Sequence, residues 1–311
     1  MILITGGLGM IGLHTARHLL DMGEDVVLTQ YRVPRIPDFL KDDFGKRVHI
    51  EQLDITDGEA LLEIGRRHKI TGLLHLAAPG LGELAAADDY RMNTQGLLNV
   101  LVAAEAWDIK RTGLASSIAV YAGVKQGPFR EDQPLRTYGG NHVEAYKKTF
   151  EILGSHYAQR VGLGVVSLRI GGIYGPMDHN LFNIATRFLH MALGREVPNW
   201  PGELFAEDAN DLCYVRDCAR GIALLQTAEK LDHATYNVAS GVASSVGEVA
   251  ALIEARFPDA KLPVTPGYGP NHRHDALMDI TRIREDTGYQ PRFALDQSIE
   301  DFVDWLQTHP Q

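Results

Sequence analysis

The first twelve residues constrain this chain most. Ile2-Leu3-Ile4 reads as a short buried strand, and a helical pattern runs over 11–22. Thr5-Gly6-Gly7-Leu8-Gly9-Met10-Ile11-Gly12 joins the two. Glycines at 6, 9 and 12 permit a sharp turn and let the backbone approach a pyrophosphate. The helix that follows offers free N–H groups and the positive end of its dipole. A purely structural tight turn is the competing explanation, and the strand–turn–helix setting favours a dinucleotide loop. Gly6, Gly9, Met10, Ile11 and Gly12 are therefore the first candidate cofactor contacts.

The pattern then repeats. Short apolar runs at 26–28, 48–50, 72–76, 112–115 and 164–170 read as strands. Helical periodicity covers 57–68, 85–107 and 143–160. Strands separated by helices imply βαβ units, which predicts an α/β fold with a doubly wound parallel sheet of the Rossmann type over 1–176. Strands buried on both faces explain unbroken apolar runs. After Pro176 the texture changes: helical stretches at 181–194, 217–230 and 245–257 alternate with loops rich in Pro and Gly. Residues 177–311 are expected to form a smaller, mostly helical substrate lobe with a few strands and some chain crossing between the lobes.

Composition narrows the partners. Lys plus Arg number 30 against 40 Asp plus Glu, a net charge of −10, which argues against a nucleic-acid binder. Cys213 and Cys218 are the two cysteines; they can build neither a disulfide framework nor a structural zinc site and suit a core in a reducing compartment. No run approaches the roughly 20 apolar residues that span a bilayer. No leader pattern is read before the first strand. The expectation is a cytoplasmic protein with no membrane or nucleic-acid partner and no metal.

Further segments stand in a recognisable order. They are His75-Leu76-Ala77-Ala78, Asn93-Thr94-Gln95-Gly96-Leu97-Leu98-Asn99-Val100, Ser116-Ser117-Ile118-Ala119-Val120-Tyr121, residues 169–176 (RIGGIYGP), Tyr214-Val215-Arg216-Asp217 and 236–241 (YNVASG). With the N-terminal loop they resemble the extended short-chain dehydrogenase/reductases, the NAD-dependent epimerase/dehydratase family. The resemblance covers nearly the whole chain. It implies an NAD(P)-dependent enzyme that transfers hydride at a hydroxyl-bearing carbon of a sugar-like or other small polar substrate, in epimerisation, dehydration or net redox. It also implies cofactor contacts from Leu76, Ala77, Ala78 and Asn93, and a homodimer joined through the helices at 85–107 and 143–160. A carbonyl reductase or alcohol dehydrogenase on a non-sugar substrate is one alternative, and a catalytically silent NAD(P)-binding regulatory protein another.

Two features bear on the dinucleotide. The acid that would take the ribose 2′-hydroxyl falls at Gln30, with Arg32 and Arg35 following. A missing carboxylate and a nearby arginine lean towards NADP over NAD; a solvated Arg32 and an enzyme that takes either cofactor is the other reading. Asp54-Ile55 resembles the family's adenine contact, although Asp54 or Asp57 can equally cap the next helix.

The catalytic set departs from the family. There a hydroxyl residue, matched by Ser117, works with a Tyr–Lys pair in a YxxxK pattern, whose spacing puts both on one helix face. Here Glu151 marks Lys147 as the lysine, and four residues earlier stands Val143, which cannot move a proton. Shifting to Lys148 puts Glu144 in that slot. His142, next to it, is the first candidate proton carrier, since imidazole suits acid–base work; a solvated helix-start residue is the plain alternative. Tyr121, Tyr138, Glu144 and Tyr146 are the other neighbours. Lys147 is expected to hold the nicotinamide ribose, against a solvated lysine. Two substrate positions also depart: an asparagine of the family is Gly172 here, and an arginine that meets the substrate diphosphate is Asn210. Both losses suggest a smaller substrate or one without a diphosphate. Arg273, within His272-Arg273-His274, is a candidate anion contact or a solvated loop residue. His14 and His18 lie four apart, a spacing that could share a metal, but no third ligand is evident.

Overall fold

The computed structural model describes residues 1–31, 37–78 and 84–309. Its strands are β1 (Ile2–Thr5), β2 (Val26–Gln30), β3 (Val48–Gln52), β4 (Gly72–His75), β5 (Thr112–Ser117), β6 (Val165–Ile170), β7 (Gly172–Tyr174), β8 (Ala209–Tyr214), β9 (Thr235–Val238) and β10 (Ala243–Ser245). Its α-helices are α1 (Met10–Asp21), α2 (Gly58–Arg67), α3 (Ala86–Ala106), α4 (His142–Val161), α5 (Ile184–Ala192), α6 (Val215–Thr227), α7 (Val246–Arg256), α8 (Thr281–Thr287) and α9 (Leu295–Thr308).

Seven strands form one sheet in the order β3-β2-β1-β4-β5-β6-β9, and every pairing is parallel. Successive side chains point to opposite faces of a strand. Ile2, Ile4, Val26 and Leu28 accordingly join one core with Leu13, Leu19 and Ile222. Leu3, Val27 and Leu73 join the other with Leu61, Leu97 and Phe150. Both faces are covered, so the fold is the doubly wound one. From β1 the sheet grows outwards in both directions, and the reversal opens a crevice at the C-terminal ends of β1 and β4.

Helix ends follow local chemistry. Asp57 caps α2, its carboxylate accepting from Ala60 N at 2.9 Å. Asn141 caps α4 by accepting from Glu144 N at 2.9 Å, and Gly162 closes that helix at φ 75°, a left-handed conformation that glycine adopts without strain. The 181–194 pattern becomes helix only from Ile184, because Asn183 takes the cap position.

Beyond residue 176 the chain does two things. A third core gathers Phe188, Leu189, Val249, Ile253, Phe302 and Val303 beside the three-stranded sheet β10-β8-β7. The chain also returns to the first unit: β9 extends the large sheet beside β6, and α6 packs on α1. Helices α8 and α9 add to the three helical stretches read there. Among the described residues, no helix is long and apolar enough to cross a membrane.

Candidate active site

The glycine loop has two kinds of position. Gly6 is forced: its φ is +68°, and a Cβ there would lie 2.8 Å from Ala77 Cα, so the loop and the end of β4 touch backbone to backbone. Its N–H donates to Thr29 Oγ1 at 3.1 Å. Gly9 differs. It is exposed, stands at the N-cap of α1, and among the described residues a Cβ on it would meet only Gly6 O, at 3.2 Å. Among the described residues no side chain caps α1, and no acid lies in its first turn. The N–H groups of Met10, Ile11 and Gly12 thus present the positive end of the helix dipole to the crevice.

Alongside lies a cavity of about 190 Å³ lined by Gly6, Thr29, Leu53, Asp54, Ile55, Ala77 and Ala78, with Tyr31 and Met92. Asp54 accepts from Thr56 N at 2.9 Å and Thr56 Oγ1 at 2.7 Å, so it shapes the loop while Asp57 caps the helix. Asn99 donates to Ile55 O at 2.9 Å, and Gly96 leaves room for the Ile55 side chain, which a Cβ would crowd at 3.1 Å. Asn93 is buried within α3 and donates to Asp89 O and Oδ1, each at 3.0 Å. Leu76 joins the end of β4 to β1, its N–H donating to Thr5 O at 3.1 Å. At the end of β2, Gln30 donates to Gln52 Oε1 at 3.1 Å. Arg32 and Arg35 lie outside the described residues.

Lys147 points from α4 to the sheet. Its Nζ donates to Ala115 O of β5 at 2.8 Å, and only 7% of the residue is exposed. Burial lowers its pKa from 10.5 to about 8. His75 lies nearby at the end of β4, with Nδ1 2.7 Å from Thr5 Oγ1; burial first and the Lys147 charge second push it down to about 3, so its imidazole is neutral. Glu151, one turn after Lys147, binds Ser116 Oγ at 2.5 Å and Arg169 at 2.8 Å and ties α4 to β5 and β6. Ser117 is half-buried at the end of β5 and accepts from Ala119 N at 3.1 Å. Val143 is half-buried one turn before Lys147, and His142 is exposed as the first residue of α4.

The other proton-carrier candidates are engaged elsewhere. Tyr146 turns to α3, where its ring lies 5.0 Å from that of Tyr90; burial and a hydrogen bond with Asp89 push its hydroxyl up to about 12. Tyr121 is buried between Asn237 Oδ1 at 2.8 Å and Arg169 Nη1 at 2.9 Å, and burial chiefly raises it to about 12. Glu144 is fully buried and bound by Arg136, Lys148 and Gly140 N; the Arg136 guanidinium foremost holds its carboxyl at about 2. Tyr138 is exposed and accepts from Arg136 Nη1 at 3.3 Å.

A second cavity, of about 680 Å³, opens next to Ser117 and is lined by Ile118, Ala119, Lys125, Arg136, Asn141 and Arg273 among others. Lys125 and Arg136 escape a motif reading; their place between the Ser117 segment and the Lys147 helix is the one signal that could have found them. Arg273 reaches Asn210 Oδ1 from another segment, Nη2 donating at 2.6 Å. Gly172 opens β7 against Asp211 O. His14 and His18 diverge: their Nε2 atoms meet Pro176 O at 3.2 Å and Arg216 O at 3.0 Å. Among the described residues no group of three or more His, Cys, Asp or Glu could hold a metal ion.

The model of the NAD dependent epimerase/dehydratase family matches residues 2–239. The chain belongs to the NAD-dependent epimerase/dehydratase family. Its members are enzymes, and so is this chain. It is 27% identical to a UDP-glucose 4-epimerase of Lacticaseibacillus casei over 100% of this chain and 98% of the relative. It is also 27% identical to a dTDP-glucose 4,6-dehydratase of Streptomyces griseus, over 99% and 94%. A crystal structure of UDP-glucose 4-epimerase from Thermus thermophilus, complexed with NAD, superposes with a TM-score of 0.77 at 24% identity, covering 98% of each chain.

Proposed function

We propose that this family member binds a nicotinamide dinucleotide across the crevice and acts at a hydroxyl-bearing carbon of a sugar-like or other small polar substrate, in net redox or transiently during epimerisation or dehydration. One observation carries this: the start of α1 and the cavity at Asp54 and Ile55 lie at the C-terminal ends of the parallel strands, where the buried Lys147 ammonium meets Ala115 O on β5, two residues before Ser117. The residues fit such a cofactor, since Gly9 leaves open the space a Cβ would fill. When bound, the dinucleotide supplies the hydride acceptor or donor.

The chain's own groups divide the rest of the work. The N–H groups of Met10, Ile11 and Gly12 hold the pyrophosphate, and Asp54 with Ile55 holds the adenine end. Lys147 holds the nicotinamide ribose. Ser117 Oγ orients the reacting oxygen. Val143 carries no proton, Tyr121 and Tyr146 are buried and held protonated, and Glu144 is held ionised; His142 is our first choice as proton carrier. Gln30, uncharged and paired with Gln52, puts no carboxylate of its own against a 2′-phosphate, which favours NADP with Arg32 as its partner. Exposed Leu98 and Val102 on α3 and Ile152, Leu153 and Val161 on α4 suit an isologous homodimer across these helices. Two buried free thiols suit the cytoplasm. The relatives named above suggest sugar nucleotides as substrates, whereas Gly172 and Asn210 favour a smaller one.

Nicotinamide absorbance, followed with a panel of sugar nucleotides, sugars, alcohols and ketones, together with product analysis for redox-neutral turnover, tests the reading. Conversion of a panel member with cofactor bound supports it. Binding of cofactor without conversion of any panel member counts against the proposed substrate class. Equal dissociation constants for NAD and NADP refute the NADP preference.

A further inference from the structure

We propose that His14 and His18 are positioning residues, a two-point clasp through which the helix that holds the dinucleotide's pyrophosphate grips the β7–β8 strand pair of the three-stranded sheet. The clasp makes a mechanical link, so that dinucleotide at the start of α1 steadies the strands that carry Gly172 and Asn210. This rests on the reading that the N–H groups of Met10, Ile11 and Gly12 bind that pyrophosphate.

β7 and β8 run parallel, with Tyr174 opposite Tyr214 at their ends. Two residues past the end of each strand, a histidine of α1 meets a carbonyl. Pro176 O lies 3.2 Å from His14 Nε2, and Arg216 O lies 3.0 Å from His18 Nε2. The spacings match. Neighbouring strands lie about 4.8 Å apart. Positions four apart on a helix are separated by about 6 Å along its axis, so one face of α1 reaches both strand ends. A four-residue histidine spacing that could share a metal instead serves two backbone carbonyls.

Both rings are neutral donors. Burial foremost lowers His14 from 6.5 to about 4, and burial also lowers the half-buried His18. A neutral imidazole that faces a carbonyl carries its proton on the facing nitrogen, here Nε2. The turn that His14 grips needs holding. Gly175 has φ +133° and Met177 φ +71°, so Pro176 stands between two residues of left-handed backbone. Met177 has a side chain, and such a conformation persists only where its surroundings fix it. Phe39 backs the clasp from the side. Its ring lies 5.0 Å from that of His14 and 6.3 Å from that of Trp305 on α9, so His14 touches the C-terminal helix through one intervening ring.

Hydrogen exchange of the full chain, read by mass spectrometry with and without saturating NADP or NAD, tests this. In the unmutated protein the dinucleotide should slow exchange in the segments 175–178 and 214–217 as well as in the glycine loop. His14→Phe and His18→Phe keep a ring and remove the donor. Each should speed exchange in its own clasped segment roughly fivefold without cofactor, the worth of one neutral hydrogen bond. Each should also abolish the slowing that the dinucleotide brings there. His14→Gln and His18→Gln place an amide N–H where Nε2 stood and should restore that slowing; a ring needed only for packing would be replaced better by phenylalanine. Should His14→Phe fail to fold, His18→Phe, at the more exposed position, carries the same comparison alone. Slowing at 175–178 and 214–217 that survives the phenylalanine substitutions overturns the proposal. So does its absence from the unmutated protein while calorimetry shows the dinucleotide bound. An unmutated protein that binds neither dinucleotide sinks the hydride-transfer reading and the clasp's role with it, and the calorimetric trace tells these failures apart.

Discussion

Lys147→Met should stabilise the protein near neutral pH while abolishing its turnover. Burial lowers the lysine's pKa from 10.5 to about 8. At about 1.36 kcal/mol for each pH unit, keeping that ammonium charged in the fold costs roughly 3 kcal/mol. The direction follows from proton counting. Below pH 8 both folded and unfolded chains hold the proton, and the whole penalty is present. Between 8 and 10.5 the folded chain gives up its proton while the unfolded chain keeps it, so stability rises with pH. Above 10.5 the penalty has gone. Methionine removes the charge but leaves Ala115 O without the donor now at 2.8 Å, a loss of about 1–3 kcal/mol. The variant should therefore equal or exceed the parent by up to about 2 kcal/mol at pH 7 and fall behind it near pH 10.5, a swing of roughly 3 kcal/mol. Urea unfolding of both proteins across that range measures the difference, and tyrosine ionisation, common to both, cancels. A difference that stays constant with pH would refute the reasoning, because it would mean that Lys147 is not desolvated in the fold.

Gly9→Val should fold normally yet lose dinucleotide binding, since its side chain would stand at the mouth of α1; unchanged affinity by calorimetry would sink the loop assignment. His142→Ala should lower turnover by about 10²–10⁴-fold and spare cofactor affinity, with one limb of the rate–pH profile lost, while Tyr146→Phe keeps it. Full activity in the first variant and none in the second would make Tyr146 the carrier. The unmutated protein should scatter light as a dimer at micromolar concentration, and Ile152→Glu, at an apolar position 67% exposed in the single chain, should drive it to a monomer; a monomeric parent would remove that proposal.

What the sequence determines by itself is what neighbouring residues decide. Gly6 needs a positive φ, a demand that comes from a turn of a few residues, whereas its bare Cα is demanded by the distant Ala77 backbone. Unbroken apolar runs such as Val26-Val27-Leu28 announce strands covered on both faces, because a half-solvated strand would alternate. Those local signals sufficed for the order of strands and helices through β6 and for the family. Their resolving power fell beyond residue 176, where short strands such as Thr235–Val238 carry too little pattern to say which sheet edge they will join. Tertiary structure alone decided the rest. Rotation of α4 about its axis sends Lys147 to Ala115 and Tyr146 to α3, a difference of one residue and about 100°. Arg136 and Arg273 share a cavity although they stand far apart in the chain, and Arg273 meets Asn210 across 63 positions. Such contacts leave no periodic trace, because they join segments distant in the chain and no spacing along the chain encodes the distance between them.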